Sequence, residues 1–230
     1  MNAKIDFERA WLSKFSACLN QVTGEIVRER VMAGSEGLTA ETDGRELILW
    51  TVGAMERLLA LVGEGEAQKV MLGCACQYPK TGLAEVREAF EASGDLSVAH
   101  QMLQERFEAF LRDSLKLEES LVDEVLRRGW GLAGLRRGET IIATKIPKSQ
   151  YLADYLGEPD PDKKRQYYCH CPRIRDVLQS SEKLPATYCY CGAGYYKGIW
   201  EEIVQRPVQV ELLESVLAGD EVCKVAIRFA

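Results

Sequence analysis

Apolar residues recur at helical spacing over residues 6–32, where Phe7, Trp11, Phe15, Cys18 and Leu19 share one stripe that Ile26 and Val27 extend. Cys18 sits on that stripe with no cysteine nearby in sequence and reads as a core thiol. A polar break, AGSEGLTAETDG, precedes a second helical pattern over 45–61, carried by Leu47, Trp50, Met55, Leu58, Leu59 and Leu61. The apolar run KVMLGCACQYP is short enough for a strand, with Gly73 permitting a turn and Pro79 ending any helix. A short helix over 83–92 and a long helical region over 96–128 follow, the latter with Phe107, Leu111, Leu121 and Val125 on its apolar side.

The period changes after residue 138. The run GWGLAGLRRG at 129–138 matches neither the phosphate-cradling nor the dinucleotide glycine pattern and reads as a connector. ETIIATKIP at 139–147 is the first convincing strand, and GEPDPDKKR then reads as a loop. Beyond it the pattern predicts extended chain at 165–168, a helix over 172–178 opened by proline, extended chain at 186–190, a helix over 195–204, and strands at 208–213 and 222–229. This order predicts an α+β fold, a helical N-terminal half packed on a twisted antiparallel sheet. We expect a single domain over 1–230, with a mainly helical portion at 1–135 and a cysteine-rich, sheet-containing portion at 136–230.

Length and composition narrow the function classes. At 230 residues, 47% hydrophobic and 28% charged, the chain can bury a sizeable core. No run approaches the roughly 20 apolar residues that span a bilayer. The opening MNAKIDFERAWLSKF mixes both charge signs without the apolar block of a signal peptide. The expected location is therefore the cytoplasm, with no membrane partner. The balance of 29 Lys and Arg against 35 Asp and Glu, net −6, gives no general attraction to nucleic acid, and Lys163, Lys164 and Arg165 read as a solvated loop.

The eight cysteines carry the sharpest signal. Cys169 and Cys171 form one C-x-C pair, Cys189 and Cys191 a second, and Cys74 and Cys76 a third, while Cys223 closes the set. In a reducing compartment such clustering points to metals or catalysis rather than disulfides. Four thiolates suit a tetrahedral zinc site or an iron–sulfur cluster, and strand alternation would put both members of C-x-C on one face. We expect zinc, with an iron–sulfur cluster as the alternative. A four-ligand shell from Cys169, Cys171, Cys189 and Cys191 competes with one built from Cys171, Cys191 and Cys223 and completed by a carboxylate or water. On a regular strand His170 would point away from its two neighbours.

A second cluster is aromatic: Tyr167, Tyr168, Tyr188, Tyr190, Tyr195, Tyr196 and Trp200. Tyrosine and tryptophan combine apolar area with a polar edge, so this cluster can either line a pocket for a heterocyclic or aromatic ligand or pack a core. Arg173 and Arg175 follow the first cysteine pair, where either can clamp a carboxylate. The candidate ligand-binding set is Tyr168, His170, Arg173, Tyr190, Tyr195 and Trp200. His100 stands alone on the long helix, and no acid–base pair is evident.

The last quarter resembles the carboxy-terminal region of the L-2-amino-thiazoline-4-carboxylic acid hydrolase family. It is also similar, more distantly, to the 4-vinyl reductase domain of chlorophyll-pathway proteins and aromatic-responsive regulators. The shared text is CPRIR at 171–175, YCYCG at 188–192 and VQVELLESVLAGDEVCKVAI at 208–227. The regulators carry a cysteine where Ser215 stands here, so their metal shell would be incomplete in this chain and Glu214 is the substitute oxygen ligand it implies. The resemblance implies a C-terminal region like the 4-vinyl reductase domain, with ligands held beside a twisted antiparallel sheet. The expected function is a metal-associated small-molecule binding or sensing protein, with homodimerisation left open. The alternatives are a hydrolase of a small cyclic amidine or other carbon–nitrogen bond, and a structural metal-bound interaction protein.

Overall fold

The computed structural model describes residues 6–75 and 80–229. Helix α1, Phe7–Thr23, starts where the Asp6 carboxylate accepts the Arg9 N–H at 3.0 Å. Gly24, with φ +86°, ends it and starts α2, Glu25–Met32, so the periodic stretch 6–32 is two helices. Helix α3, Gly44–Gly73, is capped by Asp43 and bends at Gly63. It includes the apolar run whose length suits a strand, because Val70 and Met71 continue its buried face. Cys74 forms its C-cap, which puts this cysteine at an element boundary as expected, whereas Cys76 and Pro79 lie outside the described residues.

Helix α4, Ala84–Ser93, and helix α5, Leu96–Ala109, form a hairpin; Asp95 caps α5 by accepting from Ser97 N at 2.7 Å. A π turn at Phe110–Ser114 and a short link, in which Lys116 takes a φ of +54°, separate α5 from α6, Glu119–Arg127, dividing the helical region 96–128. Strands β1, Leu135–Arg137, and β2, Thr140–Thr144, follow, so the glycine-rich connector also supplies an edge strand. Short helices α7, Leu152–Gly157, α8, Pro161–Tyr168, and α9, Pro172–Leu178, lead to α10, Tyr190–Val204. Strands β3, Val208–Glu214, and β4, Lys224–Phe229, complete an antiparallel sheet of order β1-β2-β4-β3.

Two stretches read as extended are helical. Residues 165–168 belong to α8, because Asp160 accepts the Asp162 and Lys163 N–H groups at 2.8 and 3.3 Å and Pro161 occupies the first turn. Residues 186–190 form a 3-10 turn, Ala186–Cys189, that runs directly into α10.

The sheet registers Ile141 opposite Ile227 and Ala143 opposite Val225, and all four are buried. Helix α10 covers this face with Ile199, Trp200 and Ile203, while Val86 and Leu103 of the α4–α5 hairpin close the far side. A second core gathers Phe15, Leu19, Met55, Leu58, Tyr155 and Tyr168 between α1, α3, α7 and α8. The two cores meet where α10 crosses α3. A Cβ on Gly194 would lie 2.0 Å from the Leu72 carbonyl oxygen, so only glycine permits this approach. Among the described residues no helix is long and apolar enough to cross a membrane.

Candidate functional site

Cys169, His170 and Cys171 form the extended link between α8 and α9. On extended backbone successive side chains alternate, and here Cys169 is buried, His170 exposed and Cys171 half-buried. Cys189 and Cys191 share the same spacing on helical backbone, where residues two apart do not face the same way. Their thiols part company. Cys189 turns toward Cys223 and Ser215, while the Cys191 thiol lies 3.9 Å from the Cys74 carbonyl oxygen. One spacing thus gives two outcomes, decided by local backbone.

Lys145, immediately after β2, stands at the centre. It is half-buried as a residue, but its charge is enclosed by protein and faces Cys169, Cys223, Cys191 and Cys171. Burial opposes its charge, yet the four sulfurs together outweigh that penalty and hold its pKa above the ordinary lysine value. Burial pushes the Cys169 thiol up to about 12 even though Lys145 pulls it back. Cys223 moves the other way, down to about 7, chiefly because the Cys189 thiol donates to its sulfur; the same bond raises Cys189 well above the ordinary thiol value. The Cys171 sulfur lies 4.0 Å from the phenol oxygen of Tyr188, which burial keeps firmly protonated.

The backbone around these thiols is fixed by Tyr168. Its buried phenol donates to the Lys145 carbonyl and accepts the Cys223 N–H at 2.8 Å, tying α8 to the β2–β4 ladder. The ladder itself continues through Lys145 N–H to the Cys223 carbonyl at 3.0 Å. Ser215 is buried and hydrogen-bonded to Cys189. Glu214 is instead paired with Lys224 at 2.5 Å across the sheet. Among the described residues no three histidine, cysteine or carboxylate side chains are grouped tightly enough to hold a metal ion as they stand.

The aromatic candidates are dispersed. Tyr168 lies in the core under α1 and α3, whereas Trp200 lies in the core under the sheet with its ring edge-on to Phe229 at 5.2 Å. Tyr190 is half-buried between the two cores, and Tyr195 packs edge-on to Tyr196 at 5.9 Å. Arg173 does clamp a carboxylate, but it is the chain's own Glu8, with the guanidinium 4.1 Å over the Trp11 ring. His170 shares a hydrogen bond with the Ile146 carbonyl at 2.8 Å, and His100 approaches the Gly134 carbonyl at 3.3 Å.

Sequence reasoning misses a second thiol pair. Cys18 of α1 hydrogen-bonds with Cys74 at the end of α3, and Lys14, one helical turn before Cys18, binds the Ala75 carbonyl. Cys18 also lines an open cavity of about 830 Å³ between α1, the end of α3 and α10, with Lys14, Lys69, Tyr195 and Lys197 around it. The only signal in sequence is that Cys18 and Lys14 share a helix face. Their approach to Cys74 depends on tertiary contacts. Residues 163–229 match a family described as being of unknown function, DUF6144. No curated protein and no solved structure matches the chain.

Proposed function

We propose that the protein is a binding or sensing domain, similar in its C-terminal region to the 4-vinyl reductase domain, that takes up a soft metal ion at the thiols around Lys145 and a small organic ligand in the cavity lined by Cys18. The observation that carries this reading is that four thiols drawn from three separate chain segments act together on the charge of Lys145, whose backbone is tied to Cys223 directly and through Tyr168. A protein interior tolerates buried positive charge only where groups of opposite tendency surround it. Thiols that favour an ammonium favour a soft divalent ion more, since they give up their protons to it and bind it covalently. Cys169, Cys171, Cys191 and Cys223 would hold the ion, with Cys189 and Ser215 beside them. Zinc is the preferred ion and an iron–sulfur cluster the alternative. The cavity supports the ligand half of the reading: it reaches Cys18, whose partner Cys74 contacts Cys191.

The amidine-hydrolase reading is weaker. It requires a base within reach of a nucleophilic thiol, and the imidazoles of His100 and His170 are engaged with backbone carbonyls.

Metal content and visible spectra of anaerobically purified, reduced protein test the proposal. We expect on the order of one equivalent of zinc, lost in Cys169→Ser and Cys223→Ser and bound more tightly in Lys145→Met, which removes the competing charge. Less than roughly 0.2 equivalents in both the parent and Lys145→Met, after reconstitution, would defeat it. A brown chromophore would replace zinc with a cluster.

A further inference from the structure

We propose that Cys18 and Cys74 form a second thiol site, next to the Lys145 centre and open to the cavity through Cys18, which reduces a hydroperoxide by closing to a disulfide. The two residues divide the task by position. Cys18 is half-buried and lines the cavity of about 830 Å³, whereas Cys74 is 1% exposed and lies between the lining residues Gly73 and Ala75 in the chain. The two thiols are neighbours, and the single Cys74 S–H proton can be donated either to the Cys18 sulfur or to the Val70 carbonyl 3.2 Å away. Gly73 makes the contact sterically available, since a Cβ there would stand 2.7 Å from the Cys18 sulfur.

Lys14 adds the charge that a thiolate needs. It lies on the same face of α1 as Cys18, and its ammonium holds the Ala75 carbonyl next to Cys74. The Cys74 hydrogen bond, with help from Lys14, lowers Cys18 to about 7 against the effect of burial, which agrees with a nucleophilic role.

The chemistry balances with the hydroperoxide as the only co-reactant. The Cys18 thiolate attacks the distal oxygen of ROOH; the O–O bond breaks, and RO⁻ takes up a proton to leave as the alcohol, with Cys18 now a sulfenic acid. The Cys74 sulfur then attacks the Cys18 sulfur. The S–S bond forms, the S–OH bond breaks, and hydroxide leaves with the Cys74 proton as water. Two thiols are oxidised by two electrons, and the peroxide is reduced by two. The cavity volume admits an organic R group, so the substrate class is an alkyl or aryl hydroperoxide rather than hydrogen peroxide alone.

The test uses the full chain as purified, reduced, and treated with one equivalent of cumene hydroperoxide. Peptide mapping without reduction should find Cys18 joined to Cys74 first. Dimedone should label Cys18 in Cys74→Ser, and Cys18→Ser and Lys14→Met should consume peroxide at least about tenfold more slowly than the parent. A first link from Cys18 to any other cysteine, a dimedone label confined to other thiols, or an undiminished rate in Cys18→Ser would overturn the proposal. The mapping is done on the parent protein, and Lys14→Met keeps both thiols, so the result does not depend on a cysteine variant folding. Metal loss through Cys169→Ser should leave the Cys18–Cys74 link intact, which separates failure here from failure at the Lys145 centre.

Discussion

Tyr168 supports the thiol centre through one atom. Its phenol oxygen satisfies the Cys223 N–H and the Lys145 carbonyl together, inside the core. Tyr168→Phe keeps the ring and leaves both backbone groups unpaired, so it should lower stability by about 1–3 kcal/mol in urea unfolding. An unchanged midpoint would mean that another group takes over these bonds. His170 offers a test by pH. Burial, with Lys145 nearby, pushes its imidazole down to about 4 from the ordinary 6.5. The unfolded chain therefore takes up the proton first, and stability that is complete above about pH 6.5 is lost as pH falls toward 4. Because the residue is more than a third exposed, solvent screening limits the effect to on the order of 1 kcal/mol. Between about pH 7 and about pH 5 the parent should lose that much more than His170→Gln. Equal losses would show a normally solvated imidazole.

The crossing of α10 over α3 sets where Cys191 meets Cys74, and it depends on Gly194. Gly194→Ala puts a methyl group into the Leu72 carbonyl and should cost about 3 kcal/mol or more, whereas Gly198→Ala on the same helix meets nothing within 4 Å and should be neutral or stabilising by up to about 1 kcal/mol. Thermal unfolding of the pair checks this, and equal effects would remove the close crossing from the account. Much at this scale is legible in the sequence. The stripe of Trp11, Phe15 and Leu19, the proline opening α9 and the strands around Ile141, Val210 and Ile227 follow from periodicity. The misreadings have local causes. Asp160 and Pro161 are a helix start hidden inside a run of charges, and the tyrosines beside Cys169 and Cys189 have strand propensity that tertiary packing overrides. The convergence on Lys145 is not legible, because it unites residue 145 with thiols up to residue 223 through sheet pairing.

Over the whole molecule, β4 is an interior strand whose two neighbours come from different parts of the chain. Within residues 163–229 it keeps β3 but loses β2, and with it the Ile141 and Ala143 partners of Ile227 and Val225. The same stretch loses α3, against which α10 packs through Gly194, and Lys145, around which the thiols gather. What remains is a two-stranded ribbon, α10, the short helix α9 and the end of α8, too little to bury Trp200 and Ile203, and too small a core to offset the entropy of ordering the chain. A fragment spanning 163–229 should therefore give a collapsed, poorly dispersed amide NMR spectrum and no cooperative thermal transition. Added zinc should bind its five cysteines without producing a dispersed spectrum, since the backbone that positions Cys223 is anchored outside the fragment. A cooperatively folded zinc-bound fragment would show that these thiols organise their own surroundings, and that residues 6–162 serve the cavity rather than the centre.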